Sequence, residues 1–154
     1  MSEKFTAFAG GVASGADKTI WNLFNPAATP TSRGAIFHIM IGSDDTPADQ
    51  AMRFLVGRTT GVGTEGSGFT PNNLDPAGPA GAYDLGVGAY TIEPTYTASK
   101  NLLTCSLNQR ATLTWWADPG CELVLAATQN NGAGLKSSAS SSTQAYESTV
   151  FFAE

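Results

Sequence analysis

The chain reads as an all-β protein: a single antiparallel β-sandwich or jelly-roll-like domain of about eight strands behind a flexible N-terminal arm. Three observations predict this. Charged residues make up only 14% of the 154 residues, against roughly 25% in ordinary globular domains. Polarity is supplied instead by 13 serines and 18 threonines, with 17 glycines and 8 prolines; helices draw on Ala, Leu, Glu and Lys, whereas this profile suits short strands and turns. Finally, strand-like runs recur every roughly 10–15 residues with turn chemistry between them. The length is one domain's worth and buries enough surface to fold without a disulfide or metal.

Residues 1–18 are rich in Gly, Ala and Ser, with Phe5 and Phe8 as their only bulky apolar groups, and read as the arm; residues 19–154 form the domain. The first strand expected is Thr19–Phe24, stopped by Asn25-Pro26. The next, Ala35–Ile41, is apolar on both faces and therefore central. After the acidic turn Gly42–Asp45, Thr46-Pro47-Ala48-Asp49 has helix-start chemistry, but Met52–Thr60 prefers strand, so one helical turn at most is expected. Residues 61–89 hold eight glycines and three prolines. They read as a projecting loop, with a short strand near Tyr90–Ile92, and as a partner surface that includes Phe69. Three strands follow, Leu102–Leu107, Ala111–Ala117 and Glu122–Ala127, with the Asp118-Pro119-Gly120 turn between the last two. Asn130–Gly134 reads as a turn and Ser137–Thr143 as a solvated loop. In the closing strand, Ala145–Phe152, the residues Tyr146, Ser148, Val150 and Phe152 share one face.

Net charge −5 and a pI near 4.7 argue against nucleic acid and anionic membranes as partners. No segment approaches the ~20 apolar residues of a membrane span, and the first residues carry no signal-peptide apolar run. Cys105 and Cys121 make no disulfide framework; they read as two small buried thiols, with a single bridge between neighbouring strands left open. No cofactor or metal site is expected. Gly61-Val62-Gly63-Thr64-Glu65-Gly66 matches a phosphate-loop spacing, but Ser67–Pro71 cannot start the helix that loop needs. Asp44, Asp45 and Asp49 offer oxygens to Ca²⁺ without EF-hand spacing. His38 is the only histidine; with no nucleophile elbow near it, it reads as a hydrogen-bonded core or interface residue, so no catalytic residue is expected. Trp115 and Trp116 point to opposite faces, one inward and one to a surface or subunit boundary. Arg53, Arg58 and Arg110 lie in or beside strands, either on ordinary surface or facing carboxylates at an interface.

The order and spacing of several motifs resemble a family of small proteins from tailed-phage genomes. The motifs are Asp45-Thr46-Pro47-Ala48-Asp49, Arg58–Thr64, Thr70-Pro71 with Leu74-Asp75-Pro76, Asn108–Thr112 with Trp115, Pro119-Gly120 with Glu122-Leu123, and the aromatic strand ending in Glu154. The resemblance spans roughly residues 19–154 and implies a non-enzymatic virion structural protein similar to capsid decoration (cement) proteins. It also implies assembly in the bacterial host cytoplasm, the major capsid protein as partner on the capsid exterior, and self-association as a homotrimer. Phe5, Phe8, Phe69 and Trp116 are the candidate partner contacts, Phe5 and Phe8 as anchors on an arm that orders on binding. The alternative is a carbohydrate- or receptor-binding module of a tail or head fibre, using the aromatics of residues 61–90 and one of the paired tryptophans.

Overall fold

The computed structural model describes residues 2–13, 15, 17–138 and 144–154. It is a β-sandwich. The strands are β1 (Lys4–Ala13), β2 (Lys18–Phe24), β3 (Ala35–Ser43), β4 (Ala51–Gly61), β5 (Ser67–Phe69), β6 (Asn72–Asn73), β7 (Asp84–Val87), β8 (Thr95–Asn108), β9 (Leu113–Trp116), β10 (Leu123–Val124), β11 (Gly132–Ser138) and β12 (Ala145–Ala153). One sheet has the order β10-β3-β12-β1-β6, with β9 also paired to β3; the other runs β5-β7-β2-β11-β4-β8. Every pairing is antiparallel.

The core lies between the sheets because alternation aims one side of each strand there. Along β12, Tyr146, Ser148, Val150 and Phe152 are buried, as the sequence pattern predicts. Phe54 meets Tyr146 edge-on at 4.8 Å, and Phe152 stacks on Phe5 at 5.4 Å. One polar chain crosses this core: Trp21 Nε1 donates to Ser148 Oγ at 2.9 Å, and Ser148 Oγ donates to the Met40 carbonyl at 2.8 Å. Both donors of this chain are satisfied, as buried polar groups generally are, whereas Tyr146 Oη in the same core has no hydrogen-bond partner among the described residues. At the other end, the Glu154 carboxylate accepts from the Ala82 and Tyr83 amides, and Tyr83 Oη accepts from the Gly34 amide.

Several expectations change. The N-terminal arm is, over Lys4–Ala13, strand β1, paired with β12 across most of its length. Its inward residues are Phe5, Ala7, Ala9 and Val12; small side chains fill a position wedged beside the large rings of β12. Twelve strands rather than about eight occur among the described residues. Strand β7 sits at Asp84–Val87, while Ile92 makes only an isolated bridge to Thr64. In Asn130–Gly134 the turn is confined to the first residues, and Gly132–Gly134 enters β11, the strand between β2 and β4. Ser137 is buried in β11, donating to the Gly15 carbonyl; Ala139–Thr143, the rest of the expected Ser-rich loop, lies outside the described residues. No helical turn forms at Thr46–Asp49. Glu122–Ala127 contributes only the two-residue β10. Cys105 is half-buried on β8 and Cys121 exposed before β10, both as free thiols, so only one fits a buried reading. Burial raises the Cys105 pKa, partly offset by a hydrogen bond from the Phe54 backbone.

Candidate functional site

The outer surfaces of the two sheets differ sharply in what covers them. Over the second sheet, the segment after β7 folds back onto β2, β4 and β11. Tyr90 and Tyr96 lie flat there because three facing positions are glycine. A Cβ on Gly86 would stand 2.7 Å from Tyr90 Oη; on Gly134, 2.5 Å from Tyr96 Oη; on Gly57, 3.1 Å from the Tyr96 ring. The Tyr96 and Thr19 hydroxyls meet at 3.1 Å, Thr59 donates to Asn22 at 2.8 Å, and Glu93 accepts from the Thr19 amide at 3.0 Å. Burial raises the pKa of both Tyr90 and Tyr96. Consequently β2 is buried on both faces from Thr19 onward.

Nothing among the described residues covers the outer face of the first sheet in this way. Register fixes its rows. Phe8 lies opposite Thr149, Thr149 opposite Met40, and Met40 opposite Thr114. The adjacent row runs Thr6, Phe151, His38, Trp116. Trp116 is 62% exposed, Phe8 55% and Met40 39%. A bulge sharpens the face: Phe152 pairs with Ile36 but Phe151 with His38, so β3 carries Phe37 as an extra residue. The bulge turns Phe37 outward beside His38, where its ring lies 6.4 Å from Phe151 and beneath the Lys4 ammonium at 5.9 Å.

His38 therefore sits on the outer face, not in the core, yet it is only 5% exposed. Its ring is held between two others, stacked on Trp116 at 3.6 Å and 11° and on Phe151 at 4.8 Å and 12°. Its Nε2 has no hydrogen-bond partner among the described residues, so the expected hydrogen-bonded histidine is instead a stacked one at that atom. Desolvation by this enclosure lowers its pKa. An imidazole filled in on both faces is a spacer in an aromatic column, and a column ending in an exposed indole offers a flat apolar surface.

The four candidate contacts separate. Phe8 and Trp116 come together on this face. Phe69, 52% exposed, lies on edge strand β5 of the other sheet, across an open groove from Phe8. Phe5 is 1% exposed and stacked on Phe152, so it cannot anchor a partner; strand alternation puts Phe5 and Phe8 on opposite sides of β1. Met40, Phe37 and Phe151 were not singled out from sequence. For Phe37 and Met40 the signal existed in Ala35–Ile41 being apolar on both faces, which puts apolar side chains on the outer face as well as in the core. Trp115, by contrast, is the inward member of its pair and packs against the core.

The remaining candidate chemistry disperses. Arg58 donates to the Val124 carbonyl at 2.7 Å, and Arg110 lies against the Pro47 carbonyl at 3.4 Å. Asp49 accepts from Asn108. Among the described residues, no group of three or more His, Cys, Asp or Glu side chains could hold a metal ion. No family model, no curated protein and no solved structure matches the chain.

Proposed function

We propose that this chain is a non-enzymatic assembly protein that docks through the outer face of its first sheet, acting as a virion structural protein of the capsid-decoration type. One observation carries the reading: an outer face on which Phe8, Met40 and Trp116 are exposed and Phe37 and Phe151 half-buried, with no covering segment among the described residues, while the opposite outer face is roofed by the chain itself. Exposed apolar patches of this kind on otherwise ordinary surfaces mark interaction sites, and aromatic anchors concentrate binding energy. The surface is otherwise ordinary in extent, at 7495 Å² against about 7,400 Å² for a compact monomer of this mass. The low charge of the strands suits docking that buries few unpaired ions. The virion role and the capsid lattice as partner rest on the family resemblance of residues 19–154.

The test is co-sedimentation of purified protein with the capsids of its virion, comparing wild type with Met40→Lys and Trp116→Ala. Both variants are expected to lose attachment by about tenfold or more while remaining folded; undiminished attachment refutes docking through this face. A glycan-binding role has one supporting observation, the exposed indole of Trp116 at the end of the stacked column. Glycan-array binding abolished by Trp116→Ala would establish it in place of lattice docking.

A further inference from the structure

The first sheet ends in a strand pair that is incomplete. Strand β6 pairs with β1 only at Phe5 and Thr6, so among the described residues no strand lies beside β1 from Ala7 onward on that side. The Lys4 carbonyl accepts from the Leu74 amide on the β6 side, and the Glu3 carbonyl accepts from the Glu154 amide on the β12 side. Alternation along the strand therefore turns the Phe8 N–H and C=O toward the unpaired side. Beyond it, a bulge between Ala9 and Val12 carries the chain past Gly11, at φ +64°, toward the second sheet. There the edge strand β5 likewise has a partner, β7, on one side only.

Between these two edges lies an open groove of about 570 Å³, walled by Phe8 and Val12 on one side and by Ser67, Phe69, Val87 and Tyr90 on the other. That volume falls within the range of ligand sites. Val12 packs so closely on Gly88 that a Cβ there would stand 2.5 Å from it, which holds the two walls in fixed relation. The charged residues lining the groove are Lys18 and Glu93, and two further acids, Glu65 and Asp44, stand just outside it. Lys18 is committed to Glu93 at 3.4 Å, whereas Glu65 lies against Gly68 and Asp44 against Gly11.

We propose that this groove receives an extended peptide segment of a partner protein, alternating apolar and cationic residues, which pairs with the free edge of β1. Backbone bonding to the Phe8 edge supplies affinity, apolar side chains lie between the exposed rings of Phe8 and Phe69, and Lys or Arg side chains meet Glu65 and Asp44. The acidic rim disfavours a second copy of this chain, which has 13 acids to 8 bases. The proposal shares the Phe8 side chain with the outer face of the first sheet but uses the strand edge, and Trp116 and Met40, which lie off the groove, distinguish the two.

The experiment follows amide exchange at Phe8 by NMR, with three octapeptides as probes: alternating Lys and Val, alternating Glu and Val, and the Lys/Val peptide N-methylated at every residue. The Lys/Val peptide is expected to slow Phe8 exchange by about tenfold or more at saturation, while the other two leave it unchanged. Ser67→Arg, at an exposed position of the groove wall, is expected to weaken Lys/Val binding about tenfold through repulsion and bulk. Trp116→Ala, on the outer face, is expected to leave it unaltered. Unchanged Phe8 exchange, slowing along β8 instead, or equal binding of the N-methylated peptide overturns the proposal. Phe8 protection that rises with protein concentration alone overturns it in favour of self-pairing.

Discussion

The sandwich has two outer faces built by the same strand alternation, and they end in opposite conditions. Over the second sheet, Gly57, Gly86 and Gly134 remove side chains so that Tyr90 and Tyr96 can lie against the backbone, tied by Thr19 and Glu93. Over the first sheet, the corresponding positions carry Phe8, Met40, His38, Phe151 and Trp116, and the rings stack on one another instead of being covered. A face meant for solvent would carry Thr, Lys and Glu; one meant for the chain's own roof carries glycine and a loop to match. The first sheet's face has no roof, and between its threonines, Thr6, Thr149 and Thr114, it leaves Phe8, Met40 and Trp116 exposed, which is the observation that the proposed docking rests on.

The largest expected effect comes from breaking the roof. Tyr90→Ala removes a buried ring and should cost about 3 kcal/mol in urea unfolding. Trp116→Ala removes a larger side chain from the bare face and should cost under about 1 kcal/mol. Equal losses would mean that both faces stabilise the monomer alike, and the contrast would fail. Next in size, Gly134→Val forces a branched side chain into Tyr96 Oη and should cost about 2 kcal/mol. In a Tyr96→Ala background most of that added cost should disappear, since the colliding group is gone; a double-mutant cycle measures this coupling. A similar cost in both backgrounds would instead place the strain in β11 itself.

The smallest effect is a pH dependence. Enclosure lowers the His38 pKa from its ordinary 6.5, so the unfolded chain binds this proton more readily than the folded one. The contribution is complete above pH 6.5 and is lost as pH falls from 6.5 toward the folded value. Stability to urea should therefore weaken as pH falls below 6.5 more in the wild type than in His38→Phe. Tryptophan fluorescence of the folded protein should change below pH 6.5, where the folded imidazole takes up its proton, and lose that change in Trp116→Phe. A pH response retained in Trp116→Phe would detach the titration from the stack.

Much of the architecture was legible because it depends on local alternation. Ala35–Ile41, Met52–Thr60 and Ala145–Phe152 announce strands by their branched and aromatic residues, and the inward set of β12 follows from period two alone. Strands β1 and β11 were hidden for one reason: KFTAFAGGVA and GAGLKSS are poor in the residues that favour sheets. β11 is a strand because β2 and β4 satisfy its backbone groups from both sides, and β1 because β12 pairs most of its length; β11 bears Gly134 because Tyr96 needs the space. Propensity measures the isolated segment, whereas these two are decided by what surrounds them.

The candidate contacts divide along the same line. Residue type alone selected Phe5, Phe8, Phe69 and Trp116 as large apolar groups outside the obvious core pattern. Which of them reaches solvent depends on strand parity, and Phe5 was lost once the expected arm became a strand whose odd positions face inward. Trp116 could be separated from Trp115 only as one of two opposite-facing residues, and the direction of each was set by the register of β9 on β3. The bulge at Phe37 has no signature in a run of consecutive apolar residues, yet it sets Phe37 and His38 on one side. Composition and period thus determined by themselves that the chain is a low-charge antiparallel sandwich with a closing strand half in the core. The tertiary structure alone decided which face is roofed and which is bare, because that depends on where the segment from Tyr90 to Tyr96 meets glycines on β4, β7 and β11, and contacts between residues far apart in sequence leave no periodic trace.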